Sequence, residues 1–215
     1  LQAFTRERIF PPDNDFLDLD WLQHGSDKLV IISHGLEGNS QRAYIKGMAK
    51  AFFTNGYDVL AWNYRGCSEE MNRQLRFYHS GATDDLNVVI DHAIETKKYK
   101  HVSLVGFSLG GNITLKFLGE KKPRAEIKKA VAISVPMDLQ TSCEKISRPS
   151  NWIYSYRFLK SLKTKIVRKA SMMPGLDIAK IDRIKTLKQF DDRYTAPLHG
   201  YADAIDYYSR CSAVH

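Results

Sequence analysis

The residues best placed to do chemistry lie in Gly106-Phe107-Ser108-Leu109-Gly110. His101 to Phe107 reads as a buried strand, and the chain from Leu109 onward reads as a helix. Ser108 therefore sits on a strand-to-helix turn, the context a nucleophile elbow requires. Gly106 and Gly110 suit that turn because a side chain at either place would collide with it. The turn in turn holds Ser108 in a strained conformation that presents its hydroxyl to a cleft. Ser108 is thus the candidate nucleophile, and the chemistry would be acyl transfer. A plain loop of small residues is the alternative for an isolated pentapeptide; the flanking strand and helix argue against it.

Acyl transfer also needs preorganised donors for the oxyanion of the tetrahedral intermediate. Two backbone N–H groups are candidates. One belongs to Leu109, at the start of the helix after Ser108. The other belongs to Leu36, in His34-Gly35-Leu36-Glu37-Gly38, which follows the apolar run Lys28 to Ser33. The other polar residues read more simply as structural. Asp138 follows the next apolar strand and His199 lies near the exit of a helical region, each a weak candidate for acid or base. His79 suits a loop hydrogen bond, His34 shapes its own loop, and Cys67 suits a small buried filler. His101 stands roughly 20 Å from Ser108, at about 3.3 Å per strand residue, and cannot be its base.

These residues need a scaffold, and the pattern supplies an alternation of strands and helices. Arg6 to Phe10 and Asp15 to Leu22 predict a hairpin across Pro11-Pro12-Asp13-Asn14. Lys28 to Ser33 and Tyr57 to Tyr64 read as buried strands, as does Ile127 to Val135, which Pro136 closes. Ser40 to Phe53, Thr83 to Thr96 and Leu109 to Gly119 have helical spacing. The expected fold is α/β, a doubly wound and mostly parallel sheet with ligands at the carboxyl ends of its strands. From about 138 to 200 the pattern changes to irregular helices rich in aromatics and bases, read as a cap inserted in a single domain spanning 1–215. Tyr201 to Cys211 predicts one further helix, and another strand would be due after His215.

Composition fits one globular domain: 215 residues, 43% hydrophobic, with a net charge of +8. Neither a signal core nor a membrane-length apolar run is present, and Cys67, Cys143 and Cys211 form no disulfide framework or paired metal motif. A cytoplasmic setting is expected, with no metal and no nucleic-acid partner. Much of the charge lies in Arg157 to Lys169, a basic amphipathic helix without an acid. Its two readings are a surface or lid helix with a solvated basic face and a docking site for an anionic membrane surface.

Several segments resemble the YheT-like branch of the α/β-hydrolases: Asp15-Phe16-Leu17-Asp18-Leu19-Asp20-Trp21, His34-Gly35-Leu36-Glu37-Gly38, Asn63-Tyr64-Arg65-Gly66-Cys67-Ser68, Arg76-Phe77-Tyr78-His79-Ser80-Gly81, and Gly106-Phe107-Ser108-Leu109-Gly110-Gly111-Asn112. Ser134-Val135-Pro136-Met137-Asp138-Leu139 and the stretch from Phe190 to Gly200 extend the resemblance over nearly the whole chain. It implies a serine carboxylesterase or lipase-like hydrolase with no cofactor. Glu69 departs from it, standing where family members commonly carry glycine.

The resemblance also implies that the acid and histidine follow the last sheet strands, beyond His215. Ser108 without a general base is a weak nucleophile, so the 215-residue chain by itself is expected to be inactive. The alternative is a non-catalytic binding protein on the same fold. For an enzyme, the expected substrate is a hydrophobic ester, with Trp152, Ile153, Tyr154, Tyr156, Phe158 and Leu159 supplying apolar surface in the cap.

Overall fold

The computed structural model describes residues 3–215. Six strands, β1 (Thr5–Ile9), β2 (Leu17–Leu22), β3 (Lys28–Ser33), β4 (Asp58–Asn63), β5 (His101–Phe107) and β6 (Ile127–Ile133), form one sheet in the order β1-β2-β4-β3-β5-β6. The pairs β3–β4, β3–β5 and β5–β6 are parallel, whereas β1–β2 and β2–β4 are antiparallel. In the hairpin, Arg6 and Arg8 stand opposite Asp20 and Asp18, and each guanidinium bonds both oxygens of its partner at 2.7–2.9 Å.

β3 is apolar on both faces because helices cover both. Val30 and Ile32 join Ile45 and Ala49 of α1 (Ala43–Thr54) in one core layer. Leu29 and Ile31 point the other way, toward Leu86, Val89 and Ile90 of α2 (Thr83–Lys97) and Ile113 and Phe117 of α3 (Leu109–Glu120). The two-residue period of a strand thus distributes one apolar run between two layers.

β6 differs from the expected buried strand. It ends at Ile133 and is the outermost described strand on its side, with Lys128 to Val131 exposed. Burial of an apolar strand depends on what lies beside it, which local composition does not carry.

After β6 the chain forms α4 (Leu139–Ile146), the 19-residue α5 (Trp152–Ala170), α6 (Leu187–Phe190), a π-helical turn Asp191–Thr195, α7 (Ala196–Leu198) and α8 (Ala204–Cys211). Leu159 and Ile166 of α5, with Phe190 and Tyr194, share the buried cluster of α2 and α3. Arg65 ties the loop after β4 into this frame. Its buried guanidinium grips both oxygens of Asp85 at 2.7 and 2.8 Å and reaches Asp15 at 2.8 Å and Asp13 at 2.9 Å. A buried cation is tolerated because three carboxylates hydrogen-bond it.

Candidate active site

The turn at Ser108 has φ +52° and ψ −118°, strained for a residue with a side chain. It is held from both sides. The Ser108 N–H donates to Ile133 O at 2.8 Å, while the Ser108 carbonyl accepts from Gly111 at 2.9 Å and Asn112 at 3.1 Å. A Cβ on Gly106 would lie 2.4 Å from Gly110 O, and one on Gly110 would lie 2.5 Å from Ser33 O. Only glycine lets strand β5, the turn and helix α3 approach this closely.

Asn112, a polar residue whose partners spacing along the chain does not reveal, secures the far side. Its Nδ2 donates to Ser80 O at 2.9 Å and Cys211 O at 2.8 Å, and its Oδ1 accepts from Ala213 N–H at 3.0 Å.

Several N–H groups of the loop after β3 are engaged within the fold. Gly35 N–H donates to Tyr44 Oη at 3.0 Å, Glu37 N–H to Tyr78 Oη at 2.8 Å, and Gly38 N–H to Gly35 O at 3.0 Å. Leu36 N–H and Leu109 N–H have no protein acceptor among the described residues, and both residues line the same cavity as Ser108. His34 supports the loop from beneath. Tyr64 N–H donates to its Nε2 at 3.3 Å, which assigns the proton to Nδ1, and Nδ1 lies 2.8 Å from Gly35 O. Complete burial pushes the imidazole down to about 3, so it is neutral at physiological pH.

The cavity has a volume of about 200 Å³. Its roof is apolar: Ile146 from α4, Phe158, Leu162 and Ile166 from α5, then Leu187 and Phe190. One wall is polar. Asp191, at the π-helical turn, accepts from Thr195 Oγ1 at 2.6 Å and from Tyr208 Oη at 2.7 Å, and burial raises its carboxyl to about 6.

No histidine nitrogen among the described residues hydrogen-bonds Ser108. His79 and His199 line the cavity with ring centroids 4.4 Å apart, and three of their four nitrogens have other partners. His79 Nδ1 accepts from Gly81 N–H at 3.1 Å. His199 Nδ1 lies 2.6 Å from Thr195 O, and its Nε2 lies 3.3 Å from Phe77 O. Burial lowers both imidazoles, and in His79 the neighbouring His199 adds to the effect. Asp138 caps α4 by accepting from Thr141 N–H at 2.9 Å, and His101 is exposed at the far end of β5. Cys67 is buried with its thiol pushed up to about 11, so it is no thiolate.

Two expectations for the cap are corrected. Trp152, Ile153, Tyr154 and Tyr156 are 53–63% exposed and stand outside the cavity; of the six apolar residues named for it, Phe158 lines the wall. Helical spacing puts 158, 162 and 166 on the cavity side of α5, while 152, 153, 154 and 156 at its start are exposed. Nor is the basic face of 157–169 wholly solvated. Lys169 is fully buried, donating to Asn72 Oδ1 at 2.6 Å and to Gln74 O, and Lys165 turns inward to Glu37. Glu69 adopts φ +74°, a left-handed conformation in which glycine sits without strain, and its carbonyl accepts from Arg168.

A family model described as "Serine aminopeptidase, S33" matches residues 24–189. Over 97% of its length the chain is 33% identical to YheT of Escherichia coli (strain K12), an esterase by name, and it covers 63% of that protein. It is 27% identical to the phospholipase ABHD3 of Bos taurus over 99% of its length and 54% of the relative's. With the monoacylglycerol lipase of Saccharomyces cerevisiae the identity is 26%, over 97% of this chain and 47% of the lipase. The chain therefore spans between about half and two thirds of these relatives' lengths. Among solved structures, the Pyrococcus furiosus esterase Pf2001 superposes with a TM-score of 0.60 at 24% identity, covering 76% of this chain and 66% of that one. A second crystal form of the same esterase gives 0.58 at 26% identity, over 74% and 59%. With its six-stranded, mostly parallel sheet and the matched family model, the chain belongs to the α/β-hydrolases of the serine aminopeptidase S33 family.

Proposed function

We propose that the protein is a serine hydrolase of carboxylic esters, acting through an acyl-enzyme on Ser108. The observation that carries this reading is the pair of unpartnered N–H groups, Leu36 and Leu109, that line one cavity with the strained serine. Ser108 Oγ attacks the ester carbonyl carbon, and the two N–H groups receive the oxyanion. The proton that leaves Ser108 Oγ on attack passes through the relay's histidine to the departing alkoxide, and water then hydrolyses the acyl-enzyme, releasing the carboxylic acid and restoring the Ser108 hydroxyl. The acid and histidine of this relay are read as lying outside residues 1–215, so the 215-residue chain alone turns over slowly or not at all. The chain is read as one catalytic domain with the cap inserted at 138–200.

The apolar roof favours hydrophobic acyl groups, in keeping with relatives named as phospholipase and monoacylglycerol lipase. Such esters reside in lipid, and the exposed aromatic start of α5 suits a lipid surface. Trp152, Ile153, Tyr154 and Tyr156 are exposed there beside Arg148, Arg157 and Lys160, which favours an anionic membrane. No described helix is long and apolar enough to cross a membrane. Cys67, Cys143 and Cys211 stand as separate thiols, which supports a reading of cytoplasmic location. The direct test is ester turnover by the full-length gene product and its loss in Ser108→Ala.

A further inference from the structure

The carboxylate of Glu37 joins three parts of the molecule. Its Oε1 accepts from Tyr78 Oη at 2.7 Å and from Lys165 Nζ at 2.6 Å, and its Oε2 accepts from Ser161 Oγ at 2.6 Å. Tyr78 belongs to the loop after β4, while Ser161 and Lys165 belong to the cap helix α5. Glu37 itself has φ +54° in the tight turn Gly35 to Gly38, immediately after Leu36.

We propose that Glu37 is a positioning residue that couples the cap to the oxyanion site, so that seating α5 sets the direction of the Leu36 N–H. The proposal rests on the reading of Ser108 as nucleophile and Leu36 as oxyanion donor.

The left-handed conformation of Glu37 is what aims the turn. A side chain there costs about 1–2 kcal/mol unless the surroundings hold it. Two kinds of contact do so. The Glu37 N–H donates to the same Tyr78 hydroxyl that donates to the Glu37 carboxylate, closing a ring between backbone and side chain. Lys165 and Ser161 then fix the carboxylate from the cap side, with the Lys165 ammonium also 5.0 Å from the centre of the Tyr78 ring. Burial opposes ionisation of Glu37, but Lys165 together with the hydrogen bonds from Ser161 and Tyr78 keeps the carboxyl below its ordinary range. Lifting α5 would remove two of the three side-chain donors and strand a buried carboxylate. The turn would relax, and the Leu36 N–H would lose its aim. An anchor serving the cap alone would have no reason to act on the residue next to the oxyanion donor.

The experiment measures kcat and KM of the full-length gene product on p-nitrophenyl acetate, a soluble ester too short to need the apolar roof. Glu37→Gln, Lys165→Met, their double variant and Tyr78→Phe are compared, with thermal melting to confirm that each is folded. Glu37→Gln and Lys165→Met are expected to lower kcat about tenfold with KM within about twofold, less than outright loss of an oxyanion donor costs. The double variant should be no worse than either single, because both break one link. Tyr78→Phe, which leaves the charges in place, should lower kcat as well. Unchanged kcat on p-nitrophenyl acetate in folded variants would reduce Glu37 to a cap anchor and overturn the proposal. Absence of Ser108-dependent turnover in the wild type would overturn the hydrolase reading and the coupling with it, a result distinct from an active wild type with indifferent variants.

Discussion

Gly35 lies directly against Ser108: a Cβ built on Gly35 would stand 3.3 Å from the Cβ of the serine and 3.6 Å from Phe107 O. The turn that carries the candidate oxyanion donor and the turn that carries the candidate nucleophile therefore touch without an intervening side chain. Gly35→Ala forces them apart by a few tenths of an ångström. The expected result is a loss of kcat of about tenfold or more, because misplacement on that scale is costly at a reacting centre. The stability loss should stay within about 1–3 kcal/mol, the usual range for overpacking. Paired kinetics and urea unfolding check both.

His34 gives the protein an acid limb. Its imidazole is held neutral down to about 3 when folded, against an ordinary value of 6.5. Between those values the unfolded chain binds a proton that the folded chain refuses. The stability contributed by the neutral ring is thus fully present above 6.5 and is lost as pH falls toward 3. Going from neutral pH to about pH 5 should cost roughly 1–2 kcal/mol through this residue. His34→Gln, which can still donate to Gly35 O and accept from Tyr64 N–H, should flatten that slope in urea unfolding. Equal slopes would assign the acid limb to other groups.

The cavity wall predicts selectivity. Each methylene of an acyl chain enclosed beneath Phe158 and Leu162 should contribute about 0.8 kcal/mol, up to the depth of the cavity. In a p-nitrophenyl ester series, kcat/KM should rise with chain length and then level off. Phe158→Trp should move the optimum to shorter chains, whereas Trp152→Ala should leave the profile unchanged because Trp152 is 63% exposed outside the wall.

The exposed aromatic and basic residues at the start of α5 predict binding to vesicles containing phosphatidylserine and not to vesicles of phosphatidylcholine alone. The paired change Trp152→Ala and Tyr156→Ala should weaken flotation with such vesicles, and so should Arg157→Glu. Binding should fall as salt rises, since exposed charges are screened within about 10 Å at 0.1 M. Equal binding to both vesicle types would remove the electrostatic component.

The elements that position Ser108 were legible because their signals are local. Lys28 to Ser33 occupies the expected span of β3, and the strand-turn-helix around Ser108 follows from the glycines that the turn needs. What sequence hid was long-range. Lys165 and Lys169 read as part of a solvated basic face, yet their partners Glu37 and Asn72 lie far upstream in the chain, where spacing on a helix says nothing of them. Arg65 likewise gave no sign that Asp13, Asp15 and Asp85 would converge on it. Trp152 and its neighbours have core-like composition, yet they stand exposed, because burial depends on what packs against a helix face and composition does not carry that.

The assignment of Ser108 as nucleophile is tested by mass spectrometry of the full-length gene product after reaction with a fluorophosphonate. A single adduct is expected on the peptide bearing Ser108, formed in step with loss of ester turnover, with no adduct in Ser108→Ala and slow or absent labelling of the 215-residue chain alone. An adduct on another residue, or ester turnover undiminished in Ser108→Ala, would contradict it.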